Sequence, residues 1–197
     1  MCFELDSVPP IPAIRGAAVS HEDLVLEAAD GNSFAAFAAT PDESGEVGVV
    51  ILPDVRGLYR FYEELALRFA AVGFCFGGRN SWLAAGGGHG LSGAVGFYGR
   101  PGEGRDGAPG PTQRASELEA PILALQAGAD QNISADDNAA FDEALTVAGV
   151  VHEVVTYDGA PHSFFDRKQD EFSAASEDAW GKVLAFIERH RSRPAPV

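Results

Sequence analysis

Short, continuous apolar runs alternate along this chain with segments whose apolar residues recur every three or four positions. The runs end at Leu52, Phe74, Tyr98, Gln126 and Tyr157. A short continuous apolar run is typical of a strand buried on both faces, and the spacing of three and four is typical of one helix face. The alternation predicts the α/β class, with a mostly parallel sheet covered by helices on both faces.

The same patterns set the predicted boundaries. A β-hairpin is predicted over 21–40, around the turn Asp30-Gly31-Asn32. Strands are predicted over 48–52, up to 74, and over 93–98, 121–126 and 150–157, and helices over 58–69, from 76 through 83, from 134 to 149, and from near 176. The glycine- and proline-rich segment 99–111 is predicted to be an exposed loop. Residues 1–197 are interpreted as a single domain, with a disordered tail over 191–197.

Composition excludes several classes of protein. The formal charge of −15 argues against nucleic-acid binding, which depends on Lys and Arg. No apolar run is long enough for a membrane span, and the N-terminus lacks a signal-peptide pattern, so a cytoplasmic location is expected. Cys2 and Cys75 are too few for a disulfide framework, and ligands at zinc-site spacing are absent, so no metal is expected.

The segment Gly73-Phe74-Cys75-Phe76-Gly77 lies between an apolar run and a helical segment. It has the form of a nucleophile elbow, in which the reactive residue stands on a strained turn from a strand into a helix and small residues let the backbones approach. The N–H groups at a helix start favour a thiolate and stabilise developing negative charge. The pattern favours Cys75 as a nucleophile; the alternative is a buried structural cysteine.

Two later residues follow strands in the order that such an elbow requires, an acid before a histidine. Asp130 follows the predicted strand that ends at Gln126, and His162 follows the strand that ends at Tyr157. Because loops that leave parallel strands at their carboxyl ends open on one edge of the sheet, both are expected beside Cys75. His162 would take the thiol proton, and Asp130 would hold its imidazole. Taken singly, Asp130 is also typical of a turn before a helix, and His162 is also typical of a surface loop.

The remaining candidates are backbone groups or weaker side chains. An oxyanion hole needs two N–H donors, which points to Phe76, after the nucleophile, and to Val55, in a loop after an early strand. The simpler interpretation of the loop at Val55 is a strand-to-helix turn. Cys2 is interpreted as a bystander. Four histidines at segment ends, in a glycine-rich loop or on a strand are weaker candidates: His21, His89, His152 and His190.

Several of these segments together resemble the dienelactone hydrolase (carboxymethylenebutenolidase) family. In chain order they are Met-Cys-Phe-Glu-Leu-Asp, Pro-Asp-Val-Arg-Gly-Leu, Gly-Phe-Cys-Phe-Gly-Gly-Arg, Ala-Gly-Ala-Asp and Ala-Pro-His-Ser-Phe-Phe-Asp-Arg, spanning essentially the whole chain. The resemblance implies an α/β-hydrolase fold without a cofactor and a triad of Cys75, His162 and Asp130. It also implies a monomer that hydrolyses a small anionic ester or lactone in aromatic-compound catabolism.

The resemblance implies two accessory side chains, and this sequence departs from the family at both. Asp54 occupies the position of a carboxylate that contacts the thiol in the resting enzyme, where the family usually has Glu. The family binds its substrate partly through an arginine just after the catalytic histidine. Arg167 is the nearest candidate, displaced by one position, and Asp166 stands in the expected place.

The junction from Ala70 to Val72 is shorter than the resemblance predicts. The predicted helix over 58–69 runs straight into the strand that ends at Phe74, although parallel strands need a crossover between them. Family members continue here through about one and a half βαβ units, on the order of 50 residues at roughly 30 or more per unit. A lost strand and helix would expose sheet edges and apolar helix faces, which self-association could cover.

Two alternatives compete with a Cys-dependent hydrolase. The first is a truncated, catalytically impaired remnant that acts, if at all, as a non-enzymatic binding protein, and the short junction at Ala70 to Val72 favours it. The second is a redox-active or acyl-transfer cysteine protein. A second cysteine near Cys75, which would resolve an oxidised form, is absent, and this counts against the redox function.

Overall fold

Parallel strands and helices alternate along the chain in the computed structural model, which describes residues 20–40, 50–53, 57–58, 62–63, 73–105 and 107–190. Its elements are β1 (Ser20–Glu27), β2 (Ser33–Thr40), β3 (Gly73–Phe74), α1 (Phe76–Ala84), β4 (Ala94–Phe97), a 3-10 turn (Ala115–Glu117), β5 (Ile122–Ala127), α2 (Ala135–Ala148), β6 (His152–Tyr157) and α3 (Ser173–His190). Strands β3, β4, β5 and β6 form one sheet in that order, and β1 and β2 form a separate hairpin.

The central sheet is parallel throughout, so its carboxyl ends share one edge. Phe74 pairs with Phe97 between β3 and β4, and Phe97 pairs with Leu125 between β4 and β5. Ala127 then pairs with Tyr157 between β5 and β6. Every segment that leaves these strands therefore starts at the same side of the molecule, where open α/β sheets bind their ligands.

Side chains along the central strands alternate between two apolar clusters, because successive residues of a strand point to opposite faces. The first cluster joins the sheet to α3 and includes Val95, Phe97, Leu123, Leu125, Val183 and Phe186. The second joins it to α1 and α2 and includes Ala94, Ile122, Ala124, Trp82, Phe141 and Leu145. Helices thus cover both faces of the parallel sheet, which confirms the predicted α/β class.

The hairpin turn and both ends of α2 are formed by residues that are typical of those positions. In the hairpin, the Asp30 carboxylate accepts the N–H of Asn32 at 3.0 Å, and β1 and β2 pair antiparallel. At the start of α2, Ser134 and Asp137 form a reciprocal capping box, which occupies N–H groups that the first helical turn leaves without helix partners. Gly149 ends α2 with a φ of 72°, which a residue without Cβ adopts at little cost.

Three predictions, of a strand, of a helix start and of the exposure of a loop, differ from the structure. The described part of the predicted strand over 48–52, residues 50–52, is irregular, because an apolar run becomes a strand only where a neighbour supplies hydrogen bonds. Helix α3 begins at Ser173, three residues before the predicted start near Ser176. In the loop over 99–111, Pro101, Gly110 and Pro111 are buried rather than exposed.

The loop over 99–111 is held by a side chain of α1. The Arg79 guanidinium donates to the carbonyl oxygens of Arg100 at 3.0 Å and Pro109 at 3.4 Å, and also to that of Gly102. An arginine offers five N–H donors in a fixed fork, so one side chain can hold several loop carbonyls at once. This explains why a segment rich in glycine and proline is packed.

Several predictions lie outside the described residues. They concern most of the predicted helix over 58–69, the junction at 70–72 and the tail over 191–197. Tyr62 and Glu63 are described and are helical. None of the helices within the described ranges has the length and apolar character that a bilayer crossing requires.

Candidate active site

Cys75 stands between β3 and α1, as the sequence predicts. Its φ of 56° and ψ of −114° lie in a region that non-glycine residues rarely adopt. The Cys75 N–H donates to the carbonyl oxygen of Phe97 at 3.0 Å, and the Cys75 carbonyl accepts the N–H of Arg79 at 3.2 Å. Strain of this kind costs about 1–3 kcal/mol and persists only where the surroundings fix the backbone, as these bonds do here.

The glycines around Cys75 are required by close backbone approaches. A Cβ on Gly77 would lie 2.2 Å from the carbonyl oxygen of Leu52, and one on Gly73 would lie 2.3 Å from that of Gly77. A Cβ on Gly78 would lie 2.7 Å from the carbonyl oxygen of Phe97. No side chain fits at these distances, which gives a physical reason for the small residues of the predicted elbow.

Asp130 and His162 are brought into direct contact at the carboxyl edge of the sheet. Asp130 Oδ2 lies 2.5 Å from His162 Nδ1. The Ala129 N–H donates to the carbonyl oxygen of Ala160 at 2.9 Å, which joins the two loops that carry them. The Asp130 side chain is 1% exposed and that of His162 is 29% exposed, so the carboxylate is buried while solute can reach the imidazole.

Opposing effects act on the Asp130 carboxyl. Burial raises its pKa, but hydrogen bonds from His162 and from the N–H of Asn132 outweigh this effect, and the pKa is lowered overall. The carboxylate is therefore ionised at neutral pH. Its bond with the Asn132 N–H, 2.9 Å long, also makes Asp130 a turn residue before α2, so both interpretations of this aspartate apply.

Tyr98 contacts His162, and Asp166 contacts Tyr98; neither is predicted from the sequence as a site residue. The Tyr98 ring centroid lies 4.9 Å from that of His162, and the Tyr98 hydroxyl donates to Asp166 Oδ2 at 2.8 Å. Tyr98 comes directly after β4, at the same edge of the sheet as Asp130 and His162, and this position is the one sequence signal for a role in the site. Asp166 lies four residues after His162, and nothing in the sequence marks its partner.

Positive φ values mark the same edge. Among the described residues, three that are not glycine have a positive φ: Cys75 at 56°, Tyr98 at 36° and Ser163 at 68°. The first two follow β3 and β4, and the third follows His162. Backbone strain of this kind clusters at functional sites, where the fold holds residues in conformations that they would otherwise avoid.

The other predicted site residues are placed only in part. Phe76 is the first residue of α1, with a side chain that is 53% exposed. Asp54 and Val55 lie outside the described residues. Arg167 is exposed, whereas Asp166 beside it is buried, so the buried position near His162 has a carboxylate and not a guanidinium.

The four weaker histidines lie away from the Asp130–His162 pair in the fold. His21 stacks on Phe37 in the hairpin, and His152 begins β6, which is at an edge of the sheet. His190 ends α3, and His89 is an exposed residue after α1. Within the part of the chain that the structure describes, no group of three or more His, Cys, Asp or Glu side chains could hold a metal ion.

Comparisons with known proteins agree with this arrangement of strands and loops. A protein of Escherichia coli strain K12 named "Putative carboxymethylenebutenolidase" is 33% identical over 126 residues, which are 62% of this chain and 46% of that protein. The chain thus spans about half the length of this curated relative. The crystal structure of a "Putative Dienelactone Hydrolase" from Klebsiella pneumoniae is 28% identical, with a TM-score of 0.51, over 64% of this chain and 54% of that one.

A second solved structure shows the fold over more of the chain. The esterase domain of a Rhodothermus marinus protein covers 87% of this chain and 99% of its own length, with a TM-score of 0.56. Its identity of 13% makes this a likeness of fold alone. A model of the dienelactone hydrolase family matches residues 60–191, which include β3 to α3 and all three predicted triad residues. The chain therefore belongs to the dienelactone hydrolase family.

Proposed function

We propose that this chain has the active site of a hydrolase that cleaves ester or lactone bonds, with Cys75 as the nucleophile, His162 as the general base and Asp130 as its partner. The observation that carries the proposal is the 2.5 Å contact between His162 Nδ1 and the buried Asp130 carboxylate. It lies at the sheet edge where Cys75 stands in a strained turn. A histidine fixed through one ring nitrogen presents the other nitrogen for proton transfer.

The first half of the reaction forms an acyl-enzyme. His162 takes the thiol proton of Cys75, and the sulfur attacks the carbonyl carbon of the substrate, forming a C–S bond while the carbonyl π electrons move to oxygen. The N–H of Phe76, at the positive end of α1, donates to this oxyanion, and the N–H of Val55 is the second donor in the proposal. The oxyanion then re-forms the carbonyl, the C–O bond breaks, and His162 returns the proton to the leaving oxygen.

The second half releases the acid. His162 takes a proton from water, and the hydroxide attacks the thioester carbon. Collapse of this second tetrahedral species breaks the C–S bond, and the proton returns to the sulfur. Asp130, ionised throughout, stabilises the imidazolium each time it forms. The net reaction consumes one water and yields a carboxylic acid and an alcohol, or an open-chain hydroxy acid when the substrate is a lactone.

The substrate class follows from the family. The Escherichia coli relative is named "Putative carboxymethylenebutenolidase", and the Klebsiella structure is named "Putative Dienelactone Hydrolase". We extend to this chain a small lactone or ester as substrate, with Arg167 as a candidate contact for a substrate carboxylate and Asp54 as a carboxylate near the resting thiol. Because this arginine is exposed and displaced by one position from the family pattern, we expect it to affect KM more than kcat.

The test is hydrolysis of a dienelactone and of an activated aryl ester by the purified chain and by Cys75→Ala. We expect Cys75→Ala to lower kcat/KM by at least about 10³-fold, because the covalent route is lost. Cys2→Ala is the matched control and should retain activity within about twofold, because the sequence assigns Cys2 no part in the triad. Full activity in Cys75→Ala would refute the mechanism, and inactivity of the folded parent chain would favour the non-enzymatic binding remnant.

A further inference from the structure

Tyr98 joins the turn of Cys75 to the loop of His162. Its N–H donates to the carbonyl oxygen of Leu125 at 2.8 Å, and the carbonyl of the preceding residue, Phe97, accepts the N–H of Cys75. The Tyr98 side chain is fully buried, and its ring lies in contact with the imidazole of His162. Phe97 and Tyr98 therefore contact the elements on both sides of the proposed proton transfer.

The Tyr98 hydroxyl fixes the loop that carries His162. It donates to Asp166 Oδ2 at 2.8 Å, and the other carboxylate oxygen accepts the backbone N–H of Arg167. Asp166 is 7% exposed, so its carboxylate depends on such donors for the solvation that water would otherwise supply. Loss of the hydroxyl would remove one of these donors and release the Asp166 side chain from β4.

The ring of Tyr98 restricts how the imidazole can turn. The two rings are inclined at 52°, and the Phe164 ring packs against Tyr98 at 5.7 Å in an edge arrangement. Asp130 holds the imidazole of His162 at Nδ1. The Tyr98 ring packed against the imidazole further restricts its orientation and so the direction of Nε2.

We propose that Tyr98 is a positioning residue for His162: its ring sets the plane of the imidazole, and its hydrogen bond to Asp166 holds the loop at the distance from β4 that proton exchange with Cys75 requires. The inference rests on the proposed function, since it concerns the same triad. It adds a residue pair, Tyr98 and Asp166, that acts on the reaction through His162 and exchanges no proton itself. The strained φ of 36° at Tyr98 agrees with a residue whose position is imposed by its contacts.

The first experiment removes only the hydroxyl. Tyr98→Phe should lower kcat for an aryl ester by at least about tenfold, the loss typical of one hydrogen bond to a charged group, with KM within about twofold. Tyr157→Phe is the matched control, because the Tyr157 hydroxyl donates at the same 2.8 Å to a carboxylate outside the triad, that of Asp178. The control should keep kcat within about twofold, as expected for an exposed hydrogen bond.

Substitution of Asp166, the partner of Tyr98, tests the same proposal independently. Asp166→Asn should lower kcat to a similar extent, and the double variant Tyr98→Phe/Asp166→Asn should be no slower than the slower single variant, because both remove one interaction. Additive losses in the double variant, or a Tyr98→Phe enzyme with the kinetics of the Tyr157→Phe control, would overturn the proposal. If Tyr98→Phe does not melt cooperatively, Asp166→Asn decides, and unchanged kcat in that variant overturns the proposal.

A readout without turnover separates this inference from the proposed function. In a Cys2→Ala background, the rate of Cys75 alkylation by iodoacetamide at about pH 7 reports how well His162 assists the thiol. We expect Tyr98→Phe to slow alkylation towards the rate of His162→Gln. If this occurs in a chain that hydrolyses no ester, the positioning role stands and the proposed function fails. If hydrolysis requires Cys75 but Tyr98→Phe alkylates and hydrolyses like the parent chain, the function stands and the positioning role fails.

Discussion

The Asp130 carboxyl links the stability of this protein to pH. Its pKa in the folded chain is below the ordinary value of 3.8, because hydrogen bonds from His162 and Asn132 outweigh burial. Between the two values the unfolded chain binds the proton and the folded chain does not, so the free energy of unfolding rises with pH in that interval. The contribution is fully present above 3.8 and is lost as the pH falls through the lowered value.

Asp130→Asn removes this contribution. In urea titrations from neutral pH down to about pH 3, the unfolding free energy of the variant should fall less steeply below the ordinary carboxyl pKa than that of the parent chain. Glu117→Gln is the control, because Glu117 pairs with Arg114 at the surface, where salt screens the attraction. The difference at Asp130 should persist in high salt. An Asn variant with the pH slope of the parent would contradict the assignment.

The contact between Asp130 and His162 could be predicted from their order along the chain, but the contact between Tyr98 and Asp166 could not. Asp130 and His162 follow from the position of polar residues after predicted parallel strands, and the structure brings them together. Tyr98 ends an apolar run, where an aromatic residue is typical of the core, so the sequence does not indicate its contacts with His162 and Asp166. Its partner Asp166 is 68 positions away, and no local pattern encodes a contact at that separation.

The unit β3–Cys75–α1 depends on backbone contacts that only glycine permits. Sequence predicted the strand, turn and helix from small residues around Cys75. It did not predict that residues 50–52 are irregular, because strand formation depends on pairing with distant neighbours. Instead, the carbonyls of Leu52 and Pro53 lie against Gly77 at the start of α1.

Gly77→Ala should therefore break this unit. The added Cβ would lie 2.2 Å from the carbonyl oxygen of Leu52 and 2.6 Å from that of Pro53, so a backbone must move. We expect a loss of about 1–3 kcal/mol in unfolding free energy, typical of overpacking, and a lower rate of Cys75 alkylation. Gly181→Ala, in the middle of α3 with no atom within 4 Å of the new Cβ, should instead stabilise by up to about 1 kcal/mol. Equal effects on thermal melting would contradict this account of Gly77.

At the scale of the whole molecule, one sheet supports two apolar clusters. The class of fold was predictable because continuous apolar runs identify strands that are buried on both faces. The division of the core was not, since it depends on which helix covers which face. Trp82 lies in the cluster under α1 and α2, and Trp180 on α3 packs against the other cluster. The chain contains two tryptophans, so each face has its own fluorescent reporter.

Because both clusters include residues of β4 and β5, we expect the two faces to unfold together. In Trp180→Phe only Trp82 reports, and in Trp82→Phe only Trp180 reports. For each variant, the urea midpoint from fluorescence should coincide with the midpoint from circular dichroism of the same sample. This comparison within one variant removes the effect of the substitution on stability.

If the Trp180 midpoint comes at lower urea than the loss of helix signal, the α3 face unfolds separately. The loop of His162 packs on that face through Phe164 and Phe165, so separate unfolding there would leave Asp130 without a fixed partner and favour a binding remnant over an enzyme.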